Sequence, residues 1–398
     1  MKGAAPCVPR EVRVGRLLHA IRGTPGGVVS RSVAWEGAAR GLRTGDPVPR
    51  GAVLLGLPPP LILGTDACRD WDGACAALAR GLLDARPDTF AGLYASALPG
   101  ALDLAALPLA FDPAKARAWA GARSPTGAFA LGLDALHAAF SAACPEPEHA
   151  PEPGSGRGPP SEGPSDLRLA FSAVSSRAFR LDSGAVALLP AIDLANHRSV
   201  RPSCAWEEDG RGGVRLVARK ALEPGAALEI SYGSVGRSSL DVFLQYGFCP
   251  TDLPGDRLQV FASASSCLAW ASRGGKGEPL DDDEAPLREG DKPLHVFLER
   301  GRPRGRLTLA LALVNALHEA GVHDLAAAAR QRLSELVTEA DAWILAAGCE
   351  PGAPGVLASV EDVQREACMR WGAHYARVLR EALAARCAVG GEEGRVAG

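Results

Sequence analysis

The residues best suited to chemistry are concentrated in one stretch of the sequence, 187–250. It contains Asp193, Asn196 and His197 in an Asp-x-x-Asn-His run, and two tyrosines, each followed by glycine, at Tyr232 and Tyr246. The chain has only 4 tyrosines, so finding two of them here favours a functional site over a coincidence of core packing. Carboxylate, amide, imidazole and hydroxyl groups in one stretch can bind a ligand and orient it by hydrogen bonds.

Each of these residues also has a purely structural interpretation. Asn196 and His197 fit a turn followed by a surface histidine. Tyr232 fits the end of an edge strand, and Tyr246 fits a contact that holds a helix to the core. A metal site is not predicted, because His197 has no histidine or cysteine partner at ligand spacing and the 10 cysteines include no C-x-x-C pair.

Length and composition indicate a globular protein. The 398 residues, 47% of them hydrophobic and 22% charged, suffice for one large domain or two. A net charge of −3 gives no positive field for nucleic acid or an anionic membrane. No apolar run is long enough to span a membrane, no secretory signal is evident, and the scattered cysteines fit a reducing compartment. We therefore expect a soluble intracellular protein in the cytoplasm or nucleus, with a plastid as an open alternative.

Short strands must position the polar stretch. Val186–Leu189 is predicted to be a buried strand, and residues 203–219 a hairpin turned at Asp209–Gly213. Leu228–Ser231 is a further predicted strand that leads into the first Tyr-Gly pair. Ser238 or Ser239 is predicted to cap a short helix just after it.

Helical periodicity dominates the rest of the chain. Residues 66–143 are predicted to be largely helical, whereas 144–166 has almost no large apolar residue and is predicted to be a disordered loop. The C-terminal third is interpreted as a helical domain on the strength of three predicted helices, Leu307–Leu317, Asp324–Leu345 and Ser359–Cys387.

The order of several short motifs resembles the SET-domain protein methyltransferases, in the branch typified by the Rubisco large-subunit methyltransferase. Each motif is weak alone, but together and in this order they are fairly specific. The motifs that carry the resemblance are Gly41–Thr44, Pro49–Pro58, Ser176–Phe179, Leu189–His197, Ile230–Gly233, Arg237–Ser239 and Leu244–Phe248.

The resemblance implies an α+β fold class. Residues 14–248 would form a knotted β SET core with a helical insert at about 66–178, which includes the loop 144–166. Residues 249–388 would form an all-α C-terminal domain that binds the protein substrate, followed by a tail at 389–398. We expect a monomer, and the net charge predicts that it binds neither nucleic acid nor a membrane.

The resemblance also implies a cofactor, S-adenosylmethionine, and a role for each site residue. Catalysis would fall to Tyr232 at the point of methyl transfer and to Tyr246 in the wall of the lysine channel. Asp193 and Tyr246 would contact the substrate. The residues that would bind the cofactor are Arg40, Gly41, Arg177, Asp193, Asn196, His197, Tyr232 and Gly233.

The function predicted on this basis is transfer of a methyl group to a lysine nitrogen of a non-histone protein. Relatives in this branch also methylate histidine, so histidine is an alternative acceptor. A second alternative is a non-catalytic binding module that keeps a SET-like core. It is motivated by Ser239, where the family usually has asparagine, and by altered loops.

Overall fold

The computed structural model describes residues 8–37, 41–67, 70–112, 114–116, 127–145, 166–233, 237–274, 293–300, 306–346 and 359–388. Arg40, nearly all of the predicted disordered loop 144–166 and the tail 389–398 lie outside the described residues. Among the helices of the described ranges, none is both long and apolar enough to cross a membrane.

The described chain mixes helices with short strands. The helices are α1 Arg10–Gly23, α2 Trp71–Leu83, α3 Phe90–Ala97, α4 Ala101–Leu104, α5 Gly127–Ala143, α6 Asp166–Ser175, α7 Ser239–Tyr246, α8 Ala264–Ser272, α9 Leu311–Glu319, α10 Leu325–Ala346 and α11 Val360–Ala384. The strands are β1 Val28–Val29, β2 Val33–Glu36, β3 Gly41–Thr44, β4 Val53–Leu57, β5 Leu63–Ala67, β6 Ala178–Arg180, β7 Ala185–Leu188, β8 Asn196–His197, β9 Cys204–Glu208, β10 Val214–Ala218, β11 Glu229–Ile230, β12 Gly255–Phe261, β13 Leu294–Glu299, β14 Arg306–Leu309 and β15 Arg386–Ala388.

The chain divides into two compact units. Unit 1 comprises Met1–Ala105 and His137–Gly233, and unit 2 comprises Ala106–Leu136 and Ser234–Gly398. The predicted domain limits, 14–248 and 249–388, differ from this division and stay a prediction, as does the knot.

Unit 1 contains several small sheets rather than one large one. Its strands form a four-stranded sheet in the order β1-β4-β10-β9, a three-stranded sheet β5-β7-β6, and the pairs β2-β3 and β8-β11. The central strands β4, β7 and β10 carry fully buried leucines, Leu54, Leu188 and Leu216 at 0–1% exposure, because each strand lies between two neighbours in its sheet.

The predicted hairpin of unit 1 is confirmed. Strands β9 and β10 pair antiparallel, and Asp209 closes the turn by accepting hydrogen bonds from the backbone N–H groups of Arg211 and Gly213 at 2.9 Å each. Gly210 and Gly212 adopt φ values of +71° and +80°, which residues with a Cβ rarely adopt.

Unit 2 has a core of its own, in which Phe243 stacks on Trp371 with ring centroids 5.3 Å apart. The predicted cap of its last long helix is confirmed, since Ser359 and Asp362 form a capping box at the start of α11. Helix α7 of unit 2 also begins with a capping box, which is formed by Ser238 and Asp241.

The prediction that the C-terminal domain is all-α was wrong. Unit 2 contains a four-stranded sheet in the order β12-β13-β14-β15. The predicted helix Leu307–Leu317 is in fact the end of strand β14 followed by helix α9. The alternating leucines at the start of this segment fit strand β14. The neighbouring strand β13 also places alternate side chains on a buried face, as a half-buried strand does.

Candidate active site

The Asp-x-x-Asn-His run forms a tight turn that leaves strand β7. A 3₁₀ turn at Ile192–Leu194 carries Asp193, whose N–H donates to the carbonyl of Leu189 at 3.0 Å. Ala191 precedes the turn with φ +72°, a left-handed conformation that strains a residue with a Cβ. The surrounding core holds this conformation, since Ala191 is fully buried.

Three chain segments meet at Leu228. Strands β8 and β11 pair in parallel, with Asn196 opposite Glu229. The carbonyl of Leu228 accepts from the N–H of Asn196 at 3.2 Å, and its own N–H donates to the carbonyl of Leu42 at 2.8 Å. The backbone therefore brings the Gly41 segment and the Asn-His pair together, although they are far apart in sequence.

Gly41 lies directly against the side chain of Asn196. A Cβ added at position 41 would lie 2.4 Å from Asn196 Nδ2, which is closer than real Cβ contacts come. Glycine is therefore required here if the Asn196 amide is to keep its position.

His197 and Tyr232 are held to each other. The backbone N–H of Tyr232 donates to His197 Nδ1 at 3.1 Å, and the two ring centroids are 5.0 Å apart. The Tyr232 hydroxyl donates to the carbonyl of Ala195 at 2.8 Å. Because Nδ1 accepts, a neutral imidazole carries its proton on Nε2, which lies 2.8 Å from Ser199 Oγ.

Arg177 and Asp193 form a buried ion pair. Arg177 Nη1 donates to the Asp193 carbonyl at 3.0 Å and to Asp193 Oδ2 at 3.2 Å. The Asp193 side chain is fully shielded from solvent, whereas the Arg177 side chain is 20% exposed. Burial raises the pKa of Asp193, and the charge of Arg177 opposes that rise. For Arg177, burial lowers the pKa, but the charge of Asp193 and neighbouring tyrosines outweigh it and raise the pKa overall.

Tyr94, from helix α3, joins this pair. Its hydroxyl donates to Asp193 Oδ2 at 2.9 Å. Burial, and then the negative charge of Asp193, raise the pKa of Tyr94 well above its usual value, so it acts as a neutral donor. Tyr94 was not predicted as a site residue, because it belongs to no motif and lies 99 residues from its partner.

Two polar atoms of this cluster are buried without a hydrogen-bond partner among the described residues. They are Oδ1 of Asp193, an acceptor, and Nε of Arg177, a donor. Buried polar atoms are rarely left unpaired, so these two are sites where a bound molecule can form hydrogen bonds.

The remaining predicted site residues are distributed as follows. Gly233 follows Tyr232 with φ +81° and is exposed. Tyr246 ends helix α7 in unit 2, where Arg237 Nη1 lies 3.5 Å from its hydroxyl. Burial raises the pKa of Tyr246, and the charge of Arg237 opposes this. Arg40 lies outside the described residues. The structure thus brings together Gly41, Arg177, Asp193, Asn196, His197 and Tyr232.

Ser239 has a structural role in unit 2. It stands where the SET-domain methyltransferases usually have asparagine. Its backbone N–H donates to Asp256 Oδ1 at 2.9 Å. Both residues are buried. The backbone of Ser239 therefore helps to hold one oxygen of a buried carboxylate at the start of helix α7.

No family model matches this chain, and no curated protein matches it. Solved structures do. One is the SET domain of LSMT bound to lysine and AdoHcy, with 15% identity, a TM-score of 0.44, and coverage of 94% of this chain and 92% of that one. Another is Rubisco LSMT bound to sinefungin and monomethyllysine, with 14% identity, a TM-score of 0.47 and the same coverage. The lysine, AdoHcy, sinefungin and monomethyllysine are ligands of those solved proteins.

Proposed function

We propose that this protein is an S-adenosylmethionine-dependent methyltransferase that acts on a lysine of a non-histone protein. The observation that carries the proposal is the arrangement of Tyr232 on His197, beside Ala195, with its hydroxyl 2.8 Å from the Ala195 carbonyl. It puts a phenol oxygen and a carbonyl oxygen together, and a methyl group carrying positive charge is held by such acceptors.

The residues of unit 1 fit the cofactor. The amino-acid end of S-adenosylmethionine carries an ammonium and a carboxylate, and the cluster has one unpaired buried acceptor, Asp193 Oδ1, and one unpaired donor, Arg177 Nε. The close approach of Gly41 to Asn196 offers bare backbone beside a side-chain amide, which suits the polar edges of the adenosine. In this proposal Arg40, His197 and Gly233 also contact the cofactor.

In the proposed mechanism, the protein aligns the reactants and keeps the acceptor nitrogen neutral. When bound, S-adenosylmethionine supplies an electrophilic methyl group on a sulfonium. The Tyr232 hydroxyl, anchored on Ala195, orients the acceptor nitrogen, and alignment of this kind lowers barriers by about 7 kcal/mol or more. Burial of the acceptor lysine favours its loss of a proton, because it disfavours an ammonium.

Unit 2 is proposed to bind the protein substrate, with Tyr246 contacting the acceptor lysine, and the protein is proposed to act as a monomer. Its surface offers apolar groups for that purpose: Phe297 on strand β13 is 42% exposed, and Leu311 at the start of α9 is 74% exposed. Tyr246 would act as a neutral phenol, since burial raises its pKa.

The proposal is tested by incubating the purified protein with methyl-labelled S-adenosylmethionine and a total lysate. We expect label in a discrete protein band, absent with Tyr232→Phe and retained with Tyr375→Phe, a buried tyrosine of unit 2. Amino-acid analysis of the band should give methyllysine, and methylhistidine would instead identify the alternative acceptor. No label, together with no heat of cofactor binding in calorimetry, would leave the non-catalytic binding module as the function.

A further inference from the structure

Tyr94 is a buried polar residue that belongs to none of the sequence motifs. It is 1% exposed, and its hydroxyl donates to Asp193 Oδ2 at 2.9 Å. The hydrogen bond joins helix α3, in the region predicted to be an insert, to the turn that carries the Asp-x-x-Asn-His run. A tyrosine this deeply buried needs a partner for its hydroxyl, and here the partner is a site residue.

The position of Tyr94 is set by helix α1. Arg10 Nε donates to the carbonyl of Ala97 at 3.2 Å, and Arg13 donates to the carbonyl of Ser96, so both arginines hold the last turn of α3. At the other end, Thr89 caps the helix by accepting from the N–H of Gly92 at 3.1 Å. Tyr94 therefore sits on a helix whose two ends are fixed independently of the motifs.

Tyr94 and Arg177 both donate to the same oxygen of Asp193. With Oδ2 accepting from the phenol and from the guanidinium, the rotation of the carboxylate is fixed. The other oxygen, Oδ1, is buried and accepts from no residue within the described ranges. A carboxylate held in this way leaves one acceptor for a donor that comes from outside the protein.

We propose that Tyr94 is a positioning residue that fixes the Asp193 carboxylate so that Oδ1 receives a cationic N–H group of the bound ligand. The inference rests on the proposed function, in which that group is the ammonium at the amino-acid end of S-adenosylmethionine. Tyr94 acts through Asp193 and does not itself touch the ligand.

The proposal predicts a particular pH dependence. Three groups lower the pKa of Asp193 against the raising effect of burial: Arg177 beside it by its charge and its hydrogen bond, Tyr94 on α3 by its hydrogen bond, and Arg10 on α1 by its charge. Removing the Tyr94 hydroxyl therefore raises the pKa of Asp193 further. As pH falls, the carboxylate therefore takes up a proton at a higher pH than in wild type. It then no longer binds the cationic group of the ligand.

The first measurement needs no ligand. The free energy of unfolding is measured between pH 5 and 8 for wild type, Tyr94→Phe and Tyr375→Phe. The hydroxyl of Tyr375 donates to a neutral carbonyl, that of Gln259, at 3.3 Å, so it is the matched control. Because the Tyr94 hydrogen bond is stronger to a carboxylate than to the protonated acid, we expect the loss in Tyr94→Phe to grow as pH rises. The loss in Tyr375→Phe should stay constant with pH.

The second measurement is the affinity for S-adenosylmethionine by calorimetry over the same pH range. In Tyr94→Phe the acid limb of the affinity profile should move up by about one pH unit, as expected for loss of a hydrogen bond to a charged group. In an Asp193→Asn background, Tyr94→Phe should cause no such shift. A pH-independent loss of stability, or an unmoved acid limb, would overturn the positioning role.

The two proposals fail in distinguishable ways. If wild type binds no S-adenosylmethionine at any pH, the proposed function and the ligand part of the inference both fall. The unfolding measurements would then still decide whether Tyr94 holds a charged Asp193. If wild type binds the cofactor and Tyr94→Phe binds it with an unchanged pH profile, only the positioning inference is overturned.

Discussion

The backbone N–H of Tyr232 donates to Nδ1 of His197 at 3.1 Å, and the ring centroids of the two residues are 5.0 Å apart. The histidine thereby holds the tyrosine by its main chain, which leaves the phenol free to donate to the Ala195 carbonyl at 2.8 Å. In the proposed enzyme, His197 contacts the cofactor and also fixes the backbone of Tyr232, the residue at the point of methyl transfer.

Tyr232→Phe should abolish most methyl transfer while keeping cofactor binding. Loss of a single oriented hydroxyl at the reacting atoms is expected to lower kcat by about a hundredfold or more. The measurement is incorporation of labelled methyl at saturating cofactor, with the dissociation constant measured in parallel. Turnover equal to that of wild type would show that Tyr232 does not act at the transfer point.

Gly41→Ala should weaken S-adenosylmethionine binding. The new Cβ would lie 2.4 Å from Asn196 Nδ2, so the amide must move. We expect the dissociation constant to rise by about tenfold, equivalent to about 1.4 kcal/mol. Gly45→Ala is the matched control, because its Cβ would come no closer than 3.7 Å, to the carbonyl oxygen of Ser32. Equal affinities for the two variants would argue against a cofactor role for the Gly41–Asn196 contact.

Arg177→Ala should destabilise the fold in a pH-dependent way. It leaves the fully buried carboxylate of Asp193 without its ion-pair partner, which lowers the free energy of unfolding by about 3 kcal/mol near pH 8. Burial already raises the pKa of Asp193, and loss of Arg177 raises it further. The penalty should therefore shrink as pH falls and Asp193 takes up a proton in the fold.

The control for this variant is Arg86→Ala, which removes the exposed ion pair with Asp88. Such a pair contributes about 0–1 kcal/mol, so urea unfolding of this variant should stay close to that of wild type. If Arg177→Ala lost no more stability than Arg86→Ala at pH 8, the buried ion pair between Arg177 and Asp193 would not stabilise the fold.

His374 in helix α11 should make the protein lose stability on mild acidification. Burial, followed by the charges of Arg377 and Arg300, lowers its pKa from 6.5 to about 4. The unfolded chain therefore binds more protons than the fold between these values, and the free energy of unfolding should fall by up to about 1.4 kcal/mol per unit as pH drops from 6.5. This loss should be complete near pH 4, below which both states carry the charge.

His374→Gln should flatten that part of the stability profile, as measured by urea unfolding between pH 4 and 7. The exposed His323→Gln is the matched control and should keep the wild-type slope. Arg377 Nη2 lies 3.1 Å from His374 Nδ1 and can only donate, which fits a neutral imidazole in the fold. An unchanged slope in His374→Gln would assign the acid sensitivity to other groups.

Local patterns in the sequence were enough to predict several elements. The turn of the β9–β10 hairpin was predicted from Asp209 and its glycines, and the start of α11 from Ser359 and Asp362, because these signals act within a few residues. The sheet of unit 2 was not predicted. Strand β13 alternates in burial and its partner β14 follows a few residues later, but the helical pattern of the residues after β14 dominated the interpretation.

The sequence by itself determined the candidate residues Asp193, Asn196, His197 and Tyr232, because their types and order form a pattern. Only the tertiary structure decided how they are held. It showed that Gly41 contacts Asn196 and that Tyr94, 99 residues from Asp193, donates to its carboxylate. The physical reason is that a hydrogen bond depends on distance in space, whereas a sequence motif records only distance along the chain.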